Sequence, residues 1–442
     1  MRRTRRIERI AEAHQWTVRT ASVTRTLSVL SVLSACSSPP AGPPVTAFVG
    51  ARLIDGSGNP AVDSAALLVQ EGRVLTVGPG KDVKVPRGAT VVDLSGKTII
   101  PGLINAHGHV GDTRGLEAGH YAGDNVLAQL GLYARYGITT VMSLGDDGEP
   151  SVEIRNAQDS APPARARLYL AGKVVTATTP EGARKEVDDN VAMGVDIIKI
   201  RVDDNLRTTK KMAPAVYRAV IDEAHQKGKR VAVHIYYLAD AKNVLRAGAD
   251  FIAHSVRDRE VDDEFIALLK QRHACYVPTL MREVSTYVYG SRPAFFDDPF
   301  FQRYADTAVV RALMDPRRQA QVRRDRAAQT YRRGLARAKR NLKRLFDMGV
   351  MIAMGTDTGP PGRFQGYFEH LELEQMVDAG MSPMDAIVAA TRDAADCLRL
   401  TGVGTLEAGQ RADFLVLGAD PLETIRNTRS VESVWIAGTR LR

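Results

Sequence analysis

The stretch Leu103-Ile104-Asn105-Ala106-His107-Gly108-His109 is the one on which the fold turns. A short apolar run leads into two histidines. Two residues apart on an extended chain, their side chains project to the same side. Seven further short apolar runs follow at 138–143, 167–171, 196–200, 230–234, 250–254, 274–278 and 350–355, with helical segments between them. Several of those segments end in glycine (Gly137, Gly194, Gly228, Gly248, Gly349), the usual residue just past a last helical turn. Strand-then-helix units repeated eight times predict an α/β fold of the (β/α)8 TIM-barrel type. An open doubly wound sheet would need a Gly-rich dinucleotide turn after its first strand, and residues 103–109 are followed by none.

Outward from the barrel, the pattern changes. Residues 46–100 read as short alternating strands, with Glu71-Gly72 as a hairpin turn between 65–70 and 73–78. Short strands return over 401–442. Neither region is large enough to bury a core alone, so the two chain ends are expected to form one small β-sandwich. The domain order is then an export or lipoprotein signal and flexible tether over 1–44, the N-terminal half of the sandwich over 46–100, the barrel over 101–400, and the C-terminal half of the sandwich over 401–442. The connection at 280–340 is oversized and carries Phe295-Phe296-Asp297-Asp298-Pro299-Phe300-Phe301. Long insertions in barrel loops are commonly lids, and a lid is the expectation here.

The chain of 442 residues is 44% hydrophobic and 25% charged, an ordinary soluble composition. No run reaches the roughly 18 apolar residues of a membrane-spanning helix. The net charge of +9 is local. Seven arginines stand against Glu8 and Glu12 in residues 1–35, and twelve Arg or Lys stand against Asp325 in 317–344. The second block reads as a solvated helix face, and with no nucleic-acid module beside it no nucleic-acid partner is expected. Cys36, Cys275 and Cys397 make no disulfide framework and show no metal-ligand spacing. Cys36 follows Leu33-Ser34-Ala35 after an Arg-rich and then apolar stretch, the order of an export signal. The same residues resemble a bacterial lipobox, which implies a lipid anchor at Cys36 and an exported, periplasmic or membrane-anchored protein. The alternative is a cytoplasmic protein with an extended N-terminus. A homo-oligomer is compatible with the sequence.

Five ligand-type residues stand at strand ends. His107 and His109 close the first barrel strand, His234 the fifth, His254 the sixth, and Asp357 follows the eighth. The C-terminal rim of the strands is where barrel active sites form, and histidine with carboxylate is a standard donor set for zinc and related divalent ions. Lys199 ends an apolar strand, where a bare ammonium is costly to bury. It either pairs with Asp196 or Asp203 or carries a carbon-dioxide-derived carbamate, an anion able to bridge two metals. Tyr236, Tyr237, Arg257 and Arg363 follow the ligand strands and are candidates for substrate binding. An arginine clamp suits a substrate carboxylate, and a tyrosine hydroxyl suits a carbonyl oxygen.

Pro101 through His109 resembles the opening metal motif of the amidohydrolase superfamily. The stretch Gly404-Thr405-Leu406-Glu407-Ala408-Gly409-Gln410-Arg411-Ala412-Asp413-Phe414 resembles its closing signature. The resemblance spans about 46–442, and it implies the binuclear branch that holds prolidase-like dipeptidases, carboxypeptidases and ochratoxin-type amidases. It implies two divalent ions, zinc by the donor set. His107, His109 and Asp357 would hold the first, His234 and His254 the second, and carboxylated Lys199 would bridge them. A metal-bridging hydroxide would then attack the scissile carbonyl of a small-molecule or dipeptide substrate, with Asp357 as the catalytic proton carrier. The expected reaction is cleavage of amide or peptide bonds in dipeptides or N-acyl amino acids, as in Xaa-Pro dipeptidases and carboxypeptidases. Lactonase, phosphotriesterase and imidazolonepropionase-like cyclic amide hydrolysis are the alternatives, with a non-catalytic metal-binding barrel from a different class. The deaminases of the superfamily carry Glu three residues after the strand-five histidine. Tyr237 stands there.

Overall fold

The computed structural model describes residues 43–160 and 164–441. Cys36 and nearly all of the signal expected over 1–44 lie outside the described residues. The chain opens with β1 (Val45–Leu53), β2 (Val62–Gln70), β3 (Arg73–Pro79), β4 (Thr90–Asp93) and β5 (Thr98–Pro101). The barrel strands are β6 (Leu103–Gly108), β7 (Ile138–Ser143), β8 (Arg167–Leu170), β9 (Ile198–Arg201), β10 (Val231–His234), β11 (Phe251–Ala253) and β12 (Cys275–Val277). The chain closes with β13 (Phe414–Leu417), β14 (Val431–Ile436) and β15 (Thr439–Arg440). The hairpin at Glu71-Gly72 forms as read, with Gln70 opposite Arg73.

The two chain ends share one eight-stranded mixed sheet, ordered β15-β14-β13-β5-β1-β2-β3 with β4 also on β1. The expected small β-domain does form from both chain ends, and its strands are hydrogen-bonded as one continuous sheet. The cause is β5, which is buried along its whole length. It pairs parallel with β1 on one side and antiparallel with β13 on the other. Strand β13 shows the period of two that burial on both faces requires. Phe414 and Val416 face a cluster with Phe48 and Leu67, while Leu415 and Leu417 join the barrel core.

The barrel strands form parallel ladders β6-β7-β8 and β9-β10-β11-β12. Backbone bonds cross the gap between them: Asp196 N–H donates to Leu170 O at 2.8 Å, and Val175 N–H to Lys199 O at 2.9 Å. The eighth run, read as a strand over 350–355, is not a regular one. It bonds to β12 through Met351 and Ala353, then crosses to β6, where Ala106 N–H donates to Met354 O at 2.9 Å. Neither ladder grows beyond an isolated bridge, Ile352 with Tyr276.

Insertion 280–340 folds into helices, the longest being Arg326–Asp347. That helix buries Tyr331, Ala338, Leu342 and Leu345 and turns its basic residues outward. The outward face is not bare, since Arg340 pairs with Glu260 at 2.8 Å and Arg344 with Asp263 at 2.7 Å. The phenylalanines form an aromatic cluster with the segment after Asp357, with Phe301 and Phe364 ring centroids 4.9 Å apart. Two of the three cysteines do pair. Cys275 at the start of β12 bonds to Cys397 in helix Arg392–Leu398, with Cα atoms 5.5 Å apart across 122 residues of sequence. A separation of that length carries no local signal, and the sequence reading, which saw no disulfide framework, did not identify this single bond.

Candidate active site

The six ligand-type residues converge at the C-terminal ends of the barrel strands. His109 Nε2 lies 2.8 Å and His107 Nε2 3.4 Å from the same oxygen, Asp357 Oδ1. Lys199 Nζ lies 3.4 Å from His107 Nε2. The His107 and His254 rings are 4.8 Å apart, and those of His254 and His234 are 4.3 Å apart. Ligand atoms of His107, His254 and Asp357 all fall within 4.8 Å of one another, a spacing that a metal ion can span.

Local packing explains how the strand ends reach this geometry. A Cβ on Gly355 would sit 2.5 Å from Val277 and 2.9 Å from the backbone nitrogen of His107, so only glycine lets the eighth segment pass this close. Among the non-glycine residues with left-handed backbone are three that follow barrel strands or the eighth run: His254 at φ 73°, Thr279 at φ 46° and Asp357 at φ 59°. Each costs on the order of 1–3 kcal/mol, and two of the three carry ligand-type side chains. Thr279 also steers His254, whose Nδ1 lies 2.7 Å from the threonine hydroxyl.

Electrostatics leave the donor set in the form a cation needs. Burial holds the His107 imidazole well below its ordinary value, and the Lys199 charge adds to that. Burial likewise lowers His254 well below its ordinary value and His234 to about 3. These three imidazoles are neutral with lone pairs available. Burial alone would raise the Asp357 carboxyl, but Arg363, His107 and His109 hold it well below the usual carboxylate range. His107 Nδ1 is buried without a hydrogen-bond partner. A carboxylate, neutral imidazoles and an orphaned ring nitrogen fit a divalent ion. Lys199 does not pair with either acid considered from sequence. Asp196 is engaged by Arg155 and Asp203 by Arg201 and His234. Burial lowers the Lys199 amine to about 7, against a raising pull from Asp357.

The substrate candidates divide. Arg363 lies against Asp357 Oδ2 and also donates to Ser285 Oγ at 3.1 Å. Arg257 is fully buried, 3.1 Å from Glu283 and 4.8 Å over the Tyr236 ring, so its guanidinium is held inside the fold. The Tyr237 hydroxyl donates to Asp204 at 2.8 Å. Two further histidines lie outside the donor set: His370 is buried between Tyr136 O and Thr428, and His120 is exposed beside Glu117. Arg282 was not found from sequence. It is buried on helix Leu280–Tyr287, with Nε 3.8 Å from Asp357 Oδ2 and Nη1 donating to Glu283 Oε1 at 3.0 Å. A cavity of about 280 Å³ adjoins Arg363, with Leu132, Tyr136, Tyr304 and Phe364 among its walls.

Comparison with known proteins bears on the family and the fold. The model of the amidohydrolase family matches residues 98–441. An imidazolonepropionase of Deinococcus radiodurans is 26% identical over 406 residues, covering 86% of this chain and 92% of the relative. A prolidase-like protein of Bifidobacterium longum superposes with a TM-score of 0.72 at 26% identity, covering 90% of this chain and 94% of that one. A Xaa-Pro dipeptidase with bound methionine superposes with a TM-score of 0.73 at 22% identity, over 90% of this chain and 100% of that one.

The close passage at Gly355 makes a direct prediction. Gly355→Ala forces a methyl group against Val277 and His107 and should cost about 1–3 kcal/mol of stability. Thermal unfolding should show the loss, with turnover falling alongside. An alanine variant with unchanged melting and turnover would show that the close approach does not constrain His107.

Proposed function

The chain belongs to the amidohydrolase family and is a hydrolase of amide bonds, and from that footing we propose that it cleaves dipeptides or N-acyl amino acids with two zinc ions. His107, His109, His234, His254 and Asp357 would hold the ions, with Lys199 carboxylated between them. Ions bound there would supply an ionised water as nucleophile and positive charge opposite the developing oxyanion. The remaining work falls to the chain. Asp357 accepts the proton of the attacking water and returns it to the leaving nitrogen, which departs as an amine. Arg363, beside Asp357, would face a substrate carboxylate. Arg257 and Arg282 are both occupied by Glu283, and Arg257 leaves that role. The neighbouring cavity would take the apolar part of the substrate.

The observation that carries the reading is Lys199. Its side chain is buried at the rim, and its one hydrogen-bond partner among the described residues is an imidazole. With the amine lowered to about 7, a large fraction is neutral at neutral pH, and the neutral amine is the form that adds carbon dioxide. Cyclic-amide hydrolysis is the second reading, favoured by the 26% identity to an imidazolonepropionase, and it needs no bridging lysine.

Three outcomes check these readings. An N-acyl amino acid should be hydrolysed well and its C-terminal carboxamide poorly, and Lys199→Ala should lose bound metal and turnover, both partly restored by short-chain carboxylates. Equal hydrolysis of the two substrates removes the carboxylate preference, and full activity in Lys199→Ala favours the second reading. Asp357→Asn keeps an oxygen at the site but no base, so turnover should fall by roughly 10²–10⁴-fold, and a wild-type rate removes its role. The export reading gains support from the Cys275–Cys397 bond, because disulfides persist in oxidising compartments. Fractionation should place the protein with membranes and Cys36→Ala in the soluble fraction, and a cytosolic wild type with an intact N-terminus refutes export.

A further inference from the structure

Behind the ligand residues lies a polar cluster that the reaction does not use. Glu369, on helix Tyr367–Asp378, is completely buried. One of its oxygens, Oε1, accepts three hydrogen bonds: from Asn105 Nδ2 at 2.6 Å, Thr356 Oγ1 at 2.7 Å and Thr358 Oγ1 at 2.7 Å. The other oxygen is buried without a partner. A carboxylate kept in this state is expensive unless its contacts matter elsewhere.

The three donors sit beside ligand residues on two different strand ends. Asn105 receives the His107 backbone N–H on its Oδ1 at 2.9 Å, so the same carboxamide joins Glu369 to the first histidine. Thr356 and Thr358 flank Asp357 on either side. The Thr358 hydroxyl spends its single hydrogen on Glu369, so the Tyr133 hydroxyl, 2.7 Å away, must donate into Thr358. Every arm of the cluster is therefore oriented toward one acceptor. From this juxtaposition we propose that Glu369 is a positioning residue, an acceptor that locks the His107 strand end and the Asp357 segment into one register. It touches neither substrate nor ion. It acts through Asn105, Thr356 and Thr358, as carboxylates behind metal ligands do when they orient them.

The proposal predicts that one substitution on a distant helix loosens two segments together. In Glu369→Leu, amide hydrogen exchange over 105–109 and 356–359 should accelerate in parallel. Release of zinc to a chelator should rise about 10–100-fold, and kcat should fall with KM little changed. Glu369→Gln keeps an acceptor oxygen and should restore most of the metal retention. Should Glu369→Leu not fold, Thr358→Val removes a single arm and should show the same coupled exchange at smaller size. A merely structural role lowers the melting temperature of Glu369→Leu without altering zinc release or the exchange of both segments, and that result overturns the proposal. The metal arm rests on the binuclear reading above. If the wild type binds no divalent ion, that reading falls, and the positioning role is decided by the exchange data alone.

Discussion

A single carboxylate, Asp357, has to be kept charged inside the protein, and much of the rim is arranged around that requirement. A buried carboxylate without partners would protonate or unfold its surroundings. Here His107 and His109 converge on one of its oxygens and Arg363 on the other, with Arg282 just beyond. Those partners arrive from three regions of the chain: the first barrel strand, the helix after β12, and the loop after Asp357 itself. Holding them together demands left-handed backbone at Asp357 and a glycine at 355.

The barrel could be read from the sequence because its strands are short apolar runs separated by helices, several of them ended by glycine, and these signals are local. The ligand residues could be read because strands place chemistry at their ends. His107, His109, His234, His254 and Asp357 stand at or just past such ends, Lys199 is the second residue of β9, and the structure brings all six together. Other features rest on tertiary contacts that no local pattern encodes. Arg257 follows a ligand strand just as Arg363 does, yet a glutamate supplied by the insertion turns it inward. Arg282 and Glu369 lie on helices, where the direction of a side chain depends on what packs against the helix. The eighth run makes backbone bonds to both of its neighbours without forming a continuous ladder with either.

The insertion after β12 does more than extend a loop. Its first turn delivers Arg282 and Glu283 to the rim, and Glu372 receives the backbone N–H groups of Leu280 and Met281 at 2.7 and 2.6 Å. Its phenylalanines then pack against the segment that follows Asp357. Specificity in this fold is set by the loops that follow the strands, and here one such loop is a packed helical layer joined to the catalytic rim by charge and by aromatic contact.

The shared sheet at the chain ends has a consequence for how the protein is made. Strand β5 lies at the centre of that sheet, yet its partner β13 is synthesised more than 300 residues later. Until then one flank of β5 is an open row of backbone donors and acceptors, able to pair with whatever strand it meets. Contacts of such long sequence separation form slowly. A nascent chain stalled or truncated before residue 414 would therefore have most of its barrel sequence and still present a sticky edge. Truncated chains of this kind are candidates for aggregation and for capture by chaperones.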